Sequence, residues 1–244
     1  MTAPLWVHEL AGVLSSGSVD DRSFPRDLRS VMARTLPLTA VSLADLSIAG
    51  IDAWLRRQGV ACSIHAPDRP LRGCLVAHNS HGALFLDSED ADAERRFSLA
   101  HELAHFLRDY WLPRVEAASR YGPTVLEVFD GKRAPRPEER LHSLLARIPI
   151  GFRVHLMDRS DGRITDAAIA RAEVDADRLA FELLAPESDV LPRVERIPER
   201  ERREAVEALL QERYGLPATP ATHYATLLVP ESSPSFVRRL WAVR

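Results

Sequence analysis

The spacing of apolar positions changes several times along the chain, and each change marks an expected element. Over residues 42–59, Leu43, Leu46, Ile48, Ile51 and Leu55 recur at helical spacing. Ser42 suits an N-cap, with Asp45 three residues on, and Gly59 follows the last turn. The pattern then shortens to β-like runs at residues 60–64, 73–77 and 82–86, with Pro67, Pro70, Asn79 and Gly82 in the turns between them. These runs predict a small antiparallel meander. An acidic stretch at 88–92 leads into a strong helical pattern at 93–108, as the positive end of a helix dipole favours.

Beyond that helix the punctuation is denser. Pro113, Gly122 and Pro123 mark a loop, and the polar, proline-bearing residues 130–139 read as exposed. A short helix is expected at 141–148 and a turn at Asp161-Gly162. Thr165 or Asp166 caps a further helix that ends before Pro186. A charged helix at 199–214 stops at Gly215 and Pro217, and a shorter piece follows at 221–228. At the other end, Phe24-Pro25-Arg26-Asp27 opens a short helical pattern carrying Leu28, Val31 and Met32. The expected organisation is an N-terminal extension at 1–34, a core at 35–190 with an insertion at about 112–163, and a C-terminal helical segment at 191–244. Helices that follow a short sheet make the fold class α+β.

Composition narrows the function classes. The chain has 244 residues, 45% hydrophobic and 27% charged, the balance of a globular protein rather than a disordered one. A formal charge of −3 provides no global positive field to hold nucleic acid or an anionic membrane. Two cysteines, Cys62 and Cys74, do not make a disulfide scaffold and are expected reduced. The longest uncharged run, residues 214–230, is broken by Pro217, Pro220 and Pro230, so no membrane span is expected, and the expected location is the cytoplasm.

Inside the 93–108 helix the sequence reads His101-Glu102-Leu103-Ala104-His105. Four residues are about one helical turn, so both imidazoles project from one side and can share a metal ion. Glu102 lies beside them and can act as general base on water held at the metal. Phe97, Leu99, Ala100, Leu103, Ala104, Phe106 and Leu107 surround the motif, so this helix is expected to be buried on most sides. Buried His and Glu need partners.

A catalytic site needs a third protein ligand and an open position. In the helix at 166–185, Ile169, Glu173, Ala176, Asp177, Ala180 and Leu184 form one stripe, while Arg171, Asp175, Arg178 and Glu182 form an opposite, polar one expected in solvent. Glu173 fits a metal ligand. Asp177, one turn later, fits an acceptor that orients a ligating histidine. The alternative is that both pair with arginines such as Arg95, Arg96 or Arg108. Two His and a carboxylate suit Zn2+, one per chain, with Mn2+ also able to bind. His78 and His81 read as turn residues, Tyr110 and Tyr121 as packing residues, and His142 or His155 could offer a fourth, inhibitory ligand.

The stretch DAERRFSLAHELAHFL (92–107), preceded by GALFLD, together with AEVDADRLAFELLAP (172–186), resembles the zinc-peptidase core of the IrrE/ImmA family. The resemblance implies a zincin-like core: a small antiparallel sheet packed on the HExxH helix, and a second metal-ligand helix. It implies zinc on His101, His105 and Glu173, with Glu102 as the base. It also implies a regulatory protease whose substrate is a protein such as a helix-turn-helix repressor, in stress or mobile-element control. The 67 residues between His105 and Glu173 exceed the family's expected spacing. The reading that follows is a zinc-dependent endopeptidase with a protein partner, no nucleic acid and no membrane. The alternative is a non-catalytic metal-binding regulator that acts by binding a repressor or antitoxin.

Overall fold

The computed structural model describes residues 3–15, 23–140, 151–159 and 166–230. Its centre is a four-stranded sheet in the order β1 (Leu38–Leu43), β3 (His81–Asp87), β2 (Leu71–His78), β4 (Arg153–Asp158). β2 and β3 form a hairpin that pairs His78 with His81. Asn79 and Ser80 make its two-residue turn, both with positive φ (50° and 63°), the geometry whose twist suits a tight hairpin. β4 pairs antiparallel with the far side of β2, from Ala77–Arg153 to Leu71–Asp158.

The sheet is flanked on both faces. Period-2 alternation sends Cys74, Val76 and Phe85 to one side, against Ile48, Ile51 and Leu55 of α3 (Ile48–Arg57). Leu75, Ala77, Leu84 and Leu86 face the other side, against Leu99, Ala100, Leu103 and Phe106. The first three of these helical residues belong to α4 (Asp92–His105). A π-helical turn, Phe106–Trp111, continues α4 into α5 (Leu112–Tyr121), with the Leu112 N–H donating to Leu107 O five residues back. After α6 (Val125–Phe129) and β4 comes α7 (Ala167–Leu184), capped by Asp166 and packed along α4 through Ala176, Leu179, Ala180 and Leu183. The helices α8 (Glu187–Val194), α9 (Glu199–Glu212) and α10 (Ala218–Leu228) close the far end of the same core.

The α+β class with a small sheet on the HExxH helix stands as the sequence predicts, and several details differ. The sheet is mixed, because β1 pairs parallel to β3. The helix expected to start at Ser42 starts later, since Ser42 belongs to β1 and Ser47 is the N-cap, accepting from Gly50 N at 3.2 Å. Gly59, at φ 72°, follows the helix end as expected. Residues 60–64 are not a strand. Their apolar side chains Val60, Cys62 and Ile64 pack on the α3 cluster, and Ile64 N is held by Asp52 Oδ1 at 3.1 Å. Val7, Leu10 and Leu14 of α1 (Leu5–Ser15) and Leu28, Val31 and Met32 of α2 (Leu28–Thr35) share the core of α4 and α7, so the described part of 1–34 is packed into it. The short helix expected at 141–148, the Asp161-Gly162 turn, Thr165 and His142 lie outside the described residues.

Candidate metal centre

Three elements meet over the α4 side of the sheet. α4 brings His101, Glu102 and His105, α7 brings Glu173 and Asp177, and β4 brings His155. One ligand atom from each of His101, His105, His155 and Glu173 can be chosen so that all four lie within 4.8 Å of one another. His101 and His105 are one turn apart and their rings lie 4.9 Å apart. The Glu173 carboxylate faces both, 3.2 Å from His101 Nε2 and 3.5 Å from His105 Nε2. Neither Nε2 makes an aligned hydrogen bond, although both are fully buried. Buried ring nitrogens that converge on one carboxylate without a bond of their own are a donor set that fits a cation.

The outer nitrogens are fixed. Asp177 Oδ1 accepts from His101 Nδ1 at 2.9 Å, and Asp109 Oδ2 from His105 Nδ1 at 2.7 Å. A carboxylate on Nδ1 orients the ring and turns the Nε2 lone pair inward. Asp109 also meets Arg108 at 3.1 Å and Arg153 at 3.3 Å. Against the opposing effect of burial, the His105 hydrogen bond first and then these two arginines keep its carboxyl below its ordinary range.

His155 is the residue that the sequence places among remote candidates and the structure brings to the centre. Rather than sitting in a loop-like insertion, it is on β4, paired with Leu75 of β2. Alternation along Arg153-Val154-His155-Leu156-Met157 sends Val154 and Leu156 to the α3 cluster and Met157 to the α4 core, so His155 points at α4. Its ring stacks on His105, centroids 3.6 Å apart at 22°. Its Nδ1 donates to Glu102, 2.9 Å from Oε2 and 3.1 Å from Oε1, and its Nε2 lies 3.1 Å from Glu173 Oε1.

Glu102 itself is completely buried. β2 passes over it at Gly73, where a Cβ would sit 3.1 Å from Glu102 Cγ and 3.2 Å from Oε1. A side chain at that point would press on the carboxylate, so the glycine makes room for it.

Electrostatics follow from the geometry. Burial alone would push the His101 pKa down. The hydrogen-bonded Asp177, the facing Glu173 and the charge of Glu102 outweigh it and raise the value to about 10. For His155, burial is likewise overcome by Glu102 and Glu173, which raise it to about 9. Glu173, opposed by its own burial, is held far below the carboxylate range by three histidines. Without a cation, Glu173 is therefore balanced by His101 and His155, whose protonated forms are favoured. A metal would have to displace those protons, so affinity rises with pH.

The remaining expectations sort as follows. Asp175, half-buried on α7, is no part of the cluster. Among the described residues, none of the three named arginines pairs with Glu173 or Asp177. Arg95 pairs with Asp92, Arg96 donates to Gly215 O, and Arg108 donates to Ala172 O. Two positions on α7 reverse. Ile169 is 53% exposed because the helix start projects past the core, and Glu182 is buried, accepting from Glu187 N and facing His8. Tyr110 accepts from Ser80 N at 2.9 Å and so braces the hairpin turn. His78 stacks on Phe152, and His81 Nδ1 bonds Asn79 O, both at the turn. Cys62 and Cys74 are free thiols. No described helix is long and apolar enough to cross a membrane.

Asp109 is the contributor that sequence reasoning missed, although its four-residue offset from His105 was a usable signal. For His155 the signal was the period-2 alternation of 153–158.

No curated protein matches the chain. Residues 66–124 match the model of the IrrE N-terminal-like domain, peptidase family M78. The match spans β2, β3, α4 and α5, and thus the HExxH helix and the hairpin beneath it, and it ends before β4 and α7. Across residues 66–124, about a quarter of its length, the chain is thus similar to a metallopeptidase-like domain, the IrrE N-terminal-like domain of family M78.

Proposed function

We propose that the protein is a zinc-dependent endopeptidase acting on a specific protein, such as a helix-turn-helix repressor. The observation that carries this reading is the convergence of the two unbonded, buried Nε2 atoms of the HExxH histidines on Glu173, with Glu102 beside them. His101, His105 and Glu173 would hold the ion, which when bound supplies Lewis-acid polarisation of a peptide carbonyl and acidifies coordinated water. Glu102 would take a proton from that water at its carboxylate and pass it to the leaving amine. Asp177 and Asp109 hold the two imidazoles in place throughout. Beyond β4, the sheet offers an edge on which an extended segment can lie.

The substrate class rests on the family resemblance. The decisive experiment is co-expression of the protein with candidate repressors, beginning with any encoded beside it, and scoring cleavage. Glu102→Gln should abolish cleavage. Cleavage at the parental rate by that variant would remove Glu102 from the chemistry.

One observation favours the second reading, a metal-binding regulator that acts by protein binding: both Glu102 oxygens are already engaged by His155. Under that reading Glu102→Gln retains regulation, and the repressor is captured intact.

A further inference from the structure

All three histidines of the cluster are built alike. His101 gives Nδ1 to Asp177, His105 gives Nδ1 to Asp109, and His155 gives Nδ1 to Glu102. A carboxylate only accepts, so in each couple the hydrogen lies on Nδ1 and Nε2 is left facing the shared centre. The three Nε2 atoms meet on the one remaining carboxylate, Glu173, at 3.2, 3.5 and 3.1 Å. His155 is thus supported as a ligating histidine is supported, and Glu102 does for it what Asp177 and Asp109 do for the others.

The cover is tight as well. The side chains of His101, His105 and Glu102 are 4%, 1% and 0% exposed. His155, at 12%, lies directly on the His105 ring. β4 is fastened around it: Arg153 to Asp109, Arg69 to Asp158, and, just past the strand, Arg159 to Asp87 and Asp90.

We infer that His155 is a fourth, displaceable ligand that keeps the metal site shut at rest, with Glu102 as its orienting carboxylate rather than a free base. Four protein ligands make a closed site, whereas catalysis needs one position open. Rotation of the His155 side chain away from the centre frees a position on the ion and both oxygens of Glu102 in one movement. β4 need not leave the sheet, because among the described residues the imidazole is held by Glu102, Glu173 and its ring contacts with His105 and His101. The occupant that displaces it is the extended protein substrate of the preceding section, so this inference rests on that reading.

The test is a double-substitution cycle read as metal affinity by chelator competition, with peptide cleavage as a second readout. His155→Ala should weaken zinc binding by about tenfold or more and raise cleavage of the target. Glu102→Gln should weaken zinc binding by about 10–100-fold in the parent, and have no further effect once His155 is Ala. X-ray absorption of the zinc-loaded parent protein, which needs no variant, should count three imidazoles. Two imidazoles, independent effects of Glu102 and His155 on affinity, or a fall in cleavage at unchanged affinity in His155→Ala would each overturn the latch. None of these results touches the metal site as such. Full zinc retention by His101→Ala would instead overturn the underlying metallopeptidase reading.

Discussion

The two faces of the sheet are made from the same strands and solve different problems. On the α3 face, Ile48, Ile51, Leu55, Leu71, Cys74, Val76 and Phe85 form an apolar cluster, with the buried carboxylate Asp87 at its rim on Leu46 N. On the α4 face, an equally dense apolar layer surrounds His101, Glu102 and His105, all buried. Burying ionisable groups is costly unless each is bonded, and every carboxylate on this face has a named partner. A core that exists for stability has no need of that expense. The difference marks the α4 face as the functional one without reference to any relative.

The comparison can be broken most severely at the metal. His101→Ala and Glu173→Ala should each reduce bound zinc from about one per chain to none by elemental analysis, while Asp175→Ala keeps it. The apo form of His101→Ala should lose less stability than a substitution on the other face. Loss of the same size in apo protein would show that the histidines serve the fold and that the two faces do not differ in kind.

Next comes the apolar face. Phe85 is fully buried, and its ring meets Trp54 edge-on with centroids 5.2 Å apart. Phe85→Ala should cost about 3–5 kcal/mol in urea unfolding through the cavity it leaves. Metal stoichiometry of the surviving folded fraction should not change.

Smaller effects sharpen the picture. Asp177→Ala and Asp109→Ala should each weaken zinc affinity by about 10–100-fold, measured by chelator competition, because each frees one imidazole to rotate. Equal affinity in either variant would mean that the hydrogen bond does not orient its histidine.

Last is the one buried carboxylate at the rim of the α3 face. Asp87, at the end of β3, accepts from Leu46 N at 3.0 Å and Glu89 N at 2.9 Å and pairs with Arg159 at 2.6 Å. Burial opposes its ionisation, and these three partners together hold its pKa below the ordinary 3.8. A depressed carboxylate contributes stability above its unfolded pKa and loses it as pH falls through the folded one. As pH falls from neutral to values below about 4, that contribution should disappear from the parent in urea unfolding and be absent at every pH from Asp87→Asn.

What the sequence revealed follows from where the information is local. HExxH spacing places two imidazoles on one face of a helix without any tertiary knowledge. Helical rotation alone separates Glu173 and Asp177 from Asp175. The same stripe argument fails at Ile169 and Glu182, because it knows which residues share a side but not how far along the helix the neighbouring core extends. β1 was hidden by Ser42 and Asp45, which imitate a helix cap at the end of a strand and in the turn after it. His155 was hidden by distance. Its place is set by pairing with Leu75, eighty residues earlier in the chain, and strand pairing is not written in local spacing.

The exposed stretch around Ala134, Arg136 and Pro137 lies between α6 and β4. A single backbone cut there divides the centre cleanly: His101, Glu102 and His105 go with the first fragment, and His155, Glu173 and Asp177 with the second. Neither fragment alone holds a usable set of ligands. What would rejoin them is the β2–β4 ladder and the packing of α7 along α4. A cut there should therefore make metal uptake, on mixing two separately made halves, a direct measure of their complementation.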